Sequence, residues 1–131
     1  MKKILVCIIA LMLFTTMLPK HPAWAEAMPL SSNSFVSTSV SVSASGTASF
    51  SAIARHLCTI SVSSCTLQKQ VNGQWVFAAS LTPPPSKSNA IKYSTQKDYS
   101  SDMTSGITYR IVATFTADGE SVTTTSGSIT Y

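Results

Sequence analysis

Apolar residues in this chain recur at every second position. The clearest run is Ile107, Tyr109, Ile111, Ala113, Phe115 and Ala117, alternating with Thr108, Arg110, Thr114 and Thr116 and broken only by Val112. A period of two is the mark of a strand with one buried face. Val36, Val40, Val42 and Ala44 repeat the pattern against Ser39, Ser41 and Ser43, which predicts a strand over residues 35–44, closed by Ser45-Gly46. A second strand is expected over 47–54, with Ala48, Phe50 and Ala52 inward and Ile53 off-parity. Residues 55–58 read as a connection, and 59–71 as a long third strand with Ile60 and Val62 inward. Beyond Ser63-Ser64 the parity passes to Cys65, Leu67 and Val71, so a bulge or a move between sheets is expected near Ser63.

Turn chemistry separates these runs. Asn72-Gly73 lies between two strand-like arms, and both residues accept the positive φ of a type I′ turn, so residues 67–77 read as a β-hairpin. Its return arm places Trp75, Phe77, Ala79 and Leu81 on one face, which assigns both aromatic rings to the core, and Pro83-Pro84-Pro85 ends it because proline donates nothing to a ladder. A short strand over 89–95 follows, with Ile91 and Tyr93 inward, then a polar connection over 96–105 in which Tyr99 is expected to be exposed. Asp118-Gly119 signals a second tight turn, and residues 121–131 return as the last strand with a bulge at Gly127. No capped segment of helical period is found from Glu26 onward. About seven short strands with regular turns predict an all-β, antiparallel sandwich.

The N-terminus reads as an address. Lys2 and Lys3, the apolar run over 4–18 and Ala23-Trp24-Ala25 match a secretory signal peptide cleaved before Glu26, with Ala25-Glu26-Ala27 as an alternative site. A membrane anchor fits less well, because the run is short of the roughly 20 apolar residues a span needs and is closed by Pro19, Lys20, His21 and Pro22. Cys7 lies too early in that run to be a lipidated cysteine, and it leaves with the signal. Residues 1–25 are thus a signal, 26–34 a flexible tail, and 35–131 a single domain. Three of the nine basic residues belong to the signal, so the formal charge of +4 falls to +1 in the exported part. No basic cluster remains to follow a phosphate backbone, which removes nucleic acid as an expected partner. About a third of the exported residues are Ser or Thr; because they alternate with Val, Ile, Phe and Ala, they read as solvated strand faces rather than a disordered stalk.

The segment Gly106-Ile107-Thr108-Tyr109-Arg110-Ile111-Val112-Ala113 resembles the Tyr-x-Val-x-Ala strand of fibronectin type III and related immunoglobulin-like domains. That resemblance implies a buried Tyr109 whose hydroxyl bonds back to the corner at 102–106. More broadly, a signal peptide, Ser/Thr-rich strands, Leu-Gln-Lys-x-x-Asn-Gly-x-Trp and Gly-x-x-Tyr-Arg look like small secreted immunoglobulin-like proteins of Gram-positive bacteria. It implies a fold and a compartment, secreted with or without association with the cell wall, but no activity. Ile111 stands where antibody-type domains carry their second paired cysteine, so their disulfide is not implied.

The exported part offers little for catalysis. His56 is its single histidine, without a Gly-x-Ser-x-Gly elbow, and reads as a solvated side chain. His56, Cys58 and Cys65 make three metal ligands without a fourth. Asp98, Asp102, Asp118 and Glu120 form neither a paired-acid nor a calcium pattern. Cys58 and Cys65 stand seven residues apart, roughly 20 Å along a strand, too far for a disulfide; Cys65 is expected within the sheet and Cys58 at its margin. No catalytic, cofactor or metal residue is therefore assigned. The expectation is a non-enzymatic, monomeric, secreted or cell-surface protein binding an envelope protein or glycan, or serving as an envelope component, with no membrane span after signal cleavage. The alternative is a carbohydrate-binding module using exposed aromatics; the triple proline reads equally as a ligand for an aromatic groove or as a stiff crossover.

Overall fold

A computed structural model describes residues 32–131; the signal segment and most of the 26–34 tail lie outside the described residues. The described chain is all-β, with seven strands in antiparallel ladders: β1 (Phe35–Val42), β2 (Thr47–Val71), β3 (Gln74–Ser80), β4 (Lys87–Asp98), β5 (Thr108–Ala117), β6 (Glu120–Thr125) and β7 (Ile129–Thr130). A single 3-10 turn, Ser100–Asp102, follows β4.

The 25-residue β2 organises the sheet. Its first half pairs with β1 and β4, and its second half with β3 and β5; β5 in turn carries β6 and β7. Residues 55–58, expected as a connection, are instead part of this strand. They contain no Gly or Pro to break it, and the chain accommodates them as a bulge: between the pairs Ile53–Lys92 and Cys58–Ala90, four residues of β2 oppose Ile91 alone. A second shift falls between Val62 and Ser64, where the change of parity places it. Inward parity passes from Ile60 and Val62 to Cys65 and Leu67 across it, and all four are buried.

Local irregularities also explain three misplaced side chains. A bulge between Phe35 and Ser37 turns Phe35 fully inward and leaves Val36 51% exposed, reversing the expected facing of Val36. Ala44, expected to extend that inward row, falls beyond β1 and is exposed. In β4, positive φ at Asn89 and the bulge opposite Ile91 bury Ala90 and Tyr93 but expose Ile91. The last strand is interrupted rather than bulged: Ser126 donates its N–H to the Ile111 carbonyl at 2.8 Å and accepts the Ile111 N–H on its hydroxyl, and pairing resumes at β7.

Both halves of β2 contribute to one core. Phe35, Phe50, Ile60, Leu67, Ile111 and Phe115 are fully buried in a continuous cluster, each side chain stabilising the fold by about 1.5–3 kcal/mol. The Asn72-Gly73 and Asp118-Gly119 turns have φ of 50°, 78°, 49° and 76°, the positive pairs a type I′ hairpin requires. Residues 32–34 are held in place: Arg55 Nε donates to the Ser32 carbonyl, and the N–H groups of Asn33 and Ser34 donate to the Glu120 carboxylate at 3.2 and 2.8 Å. The edge strands β1 and β6 meet through a Thr38–Thr124 hydroxyl bond of 2.6 Å.

Candidate functional site

The aromatic residues of β3 leave the core because of one extra residue. Leu67 pairs with Ala79, whereas Gln68 pairs with Phe77, so Ala78 is the unmatched residue. A single-residue slip turns every side chain beyond it to the opposite face. Trp75 and Phe77 therefore share the outer face with Gln68, Gln70 and Arg110, which are their register partners across β2 and β5. Phe77 is 64% exposed and Trp75 is half-buried, so the assignment of both rings to the core does not hold. Arg110 braces this face: its guanidinium carbon lies 4.4 Å from the Trp75 ring centroid, and its Nε donates to Gln68 Oε1 at 2.7 Å. A cation over an indole at such a site contributes about 0.5–1 kcal/mol. The result is an open surface with one free phenyl ring, one indole partly covered by a cation, and two amides.

The other aromatic side chains are structural. Tyr109 is buried and its hydroxyl accepts the Thr104 N–H at 2.9 Å, in agreement with the corner role. Tyr99, expected at the surface, is buried edge-on to Phe50 at 6.4 Å, and its hydroxyl donates to the Thr82 carbonyl at 2.7 Å. Gly46 carries the β1–β2 turn over this region; a Cβ there would meet Ser100 Cα at 2.7 Å, and its carbonyl accepts the Tyr99 N–H. Tyr93 donates to the Pro85 carbonyl at 2.8 Å, and Lys97 to that of Pro83 at 3.5 Å. The proline segment is thus tied to β4 as a crossover. Burial pushes the Tyr93 and Tyr99 phenols upward, keeping them neutral donors.

His56 is not solitary. Because β2 continues through residues 55–58, its ring reaches Asp118 in the β5–β6 turn, and Nε2 and the carboxylate share a hydrogen bond with both side chains about half exposed. Asp118 is the only hydrogen-bond partner of His56 among the described residues. Nearby Cys58 is buried, its thiol pushed up first by burial and then by the Asp118 carboxylate, the reverse of an activated nucleophile. Exposed pairs of this kind contribute about 0–1 kcal/mol. Cys65 is buried within the sheet and its thiol is raised by burial to about 11. Both thiols are free and lie on one continuous strand, as the spacing argument required, although Cys58 is buried rather than marginal.

Among the described residues, no three His, Cys, Asp or Glu side chains are grouped to hold a metal, no pocket is found, and no helix is long and apolar enough to cross a membrane. No family model, curated protein or solved structure matches the chain. Sequence reasoning missed the outer face of β3 because its signal, an unmatched residue opposite Leu67 and Gln68, exists only in the pairing.

Proposed function

We propose that this is a non-enzymatic secreted or cell-surface protein, built on an immunoglobulin-like sandwich, that acts by binding through the outer face of β3, β2 and β5. The observation that carries this reading is the presence of Trp75 and Phe77 on that face, outside the core and beside Gln68 and Arg110. Large aromatic side chains at the surface supply contact area with little rotamer entropy to lose, and Arg adds a directional donor. The signal pattern at the N-terminus supports the compartment, and the Tyr109 corner supports the sandwich.

A glycan ligand is the second reading, favoured by two aromatic side chains spaced i, i+2 on one open face. The Arg110 guanidinium over the indole weighs against a sugar stacked on that side of the ring. The test is fractionation of producing cells, followed by sedimentation of the purified protein with cell-wall material, for wild type and the double variant Trp75→Ala/Phe77→Ala. Retention on the wall that the double variant loses supports the reading; equal retention of both, or a protein that never leaves the cell, overturns it. Release by soluble wall polysaccharide, with quenching of Trp75 fluorescence, would identify the glycan case.

A further inference from the structure

The four free edges of the sheet are not treated alike. β1 and β6 face each other through Thr38 and Thr124, and residues 33 and 34 bond to Glu120 beside them. β4 carries Lys87, Lys92, Lys97 and Asp98, and is kinked where Asn89 adopts a φ of 51°. Charge and kinks are the devices that keep an edge from pairing with another chain. Among the described residues β3 has a partner only in β2, and no charged residue lies between Lys69 and Lys87. Its straight part, Gln74 to Phe77, contains Trp, Val and Phe, all strong strand formers, with Val76 38% and Phe77 64% exposed.

We infer that β3 is the dimerisation edge of this protein, pairing antiparallel with β3 of a second copy about a two-fold axis through Val76. An axis perpendicular to a continuous sheet maps outer face onto outer face, so each residue must oppose one of the same facing. Centring on Val76 meets that condition. Trp75 of each copy then opposes Phe77 of the other on the outer face, Val76 opposes Val76 on the inner face, and Gln74 opposes Ala78. No like charges meet, and two aromatic cross-strand pairs form, the kind that stabilises neighbouring strands. The unmatched Ala78 limits the ladder at each end, which selects this register over slipped ones. The chain is isologous in this arrangement, and the aromatic face doubles into a row of four rings. This replaces the monomer expected from the sequence, and it holds whether or not the outer face binds an envelope ligand.

Sedimentation equilibrium of the purified protein over a wide concentration range tests it. Wild type is expected to double in mass as concentration rises, and Val76→Lys, which brings two ammonium groups together at the axis, to remain monomeric with unchanged circular dichroism. Val76→Cys is expected to form a covalent dimer on mild oxidation, because directly opposed residues have Cβ atoms about 4.5–5.5 Å apart. Lys92→Cys, on the charged β4 edge, serves as the control; native Cys58 and Cys65 are buried and do not link. A wild type that stays monomeric, including one that instead captures a foreign peptide on β3, overturns the inference. So does a dimer that survives Val76→Lys, or cross-linking at Val76→Cys no greater than at Lys92→Cys. Should Val76→Lys fail to fold, the cysteine pair decides alone.

Discussion

Tyr109 and Tyr99 have the same chemistry, yet only one was placed by its sequence context. Tyr109 sits at an inward position of a regular strand after a Gly-containing corner, and its hydroxyl accepts the Thr104 N–H. Tyr109→Phe should lower stability by about 1 kcal/mol, one net hydrogen bond; a thermal midpoint equal to that of wild type would remove the corner role. Tyr99 follows a polar stretch that suggested exposure, but the carbonyl it bonds, Thr82, is 17 residues away in sequence and adjacent only in the fold. Thiols behave similarly. Cys65 is buried with its pKa raised to about 11, so at pH 8 the native protein should resist alkylation there and react within the same period once unfolded. Mass spectrometry of the native sample with a fully modified Cys65 would contradict this burial.

At the level of elements, hairpins were legible, and so was facing along β5 and both halves of β2; facing failed where an unmatched residue interrupts the pairing, as in β3. Asn72-Gly73 announces its turn because few dipeptides tolerate two positive φ values, and nothing lies within 4 Å of a Cβ built on Gly73. Gly73→Val should therefore destabilise through backbone strain alone, by about 1–3 kcal/mol, measured as a shift of the urea midpoint with an unchanged slope. An unaltered midpoint would mean the turn relaxes at no cost. The strand leaving that turn shows the converse. Its parity correctly grouped Trp75 with Phe77, but Ala78 is unmatched in the ladder, so the pair faces solvent instead of the core. Likewise residues 54–57 of β2 stand opposite Ile91 alone, a count visible only in the pairing with β4.

For the molecule as a whole, Glu120 joins the start of β6 to the residues before β1. The Ser34 hydroxyl foremost, then the Ser32 hydroxyl and the backbone N–H groups of Ser34 and Asn33, hold its carboxylate below the ordinary range against some desolvation. A carboxylate with a depressed folded pKa contributes stability above its unfolded value, near 4.5, and that contribution is lost as pH falls through the folded value. Glu120→Gln should therefore lower stability at neutral pH and flatten its decline in acid; parallel acid limbs for variant and wild type would show that the lock does not form in solution. This lock, the His56–Asp118 pair and the Thr38–Thr124 bond all join residues more than sixty positions apart. The amino-acid order encodes what local physics can: strand character from a period of two, turns from Asn-Gly and Asp-Gly, and an inward-facing tyrosine on the cleanest strand. The count of residues across β2, the face that β3 presents and the edge left without a partner among the described residues are set by tertiary pairing. Those depend on the residue standing opposite, since one unmatched residue reverses every side chain beyond it without changing a single local preference.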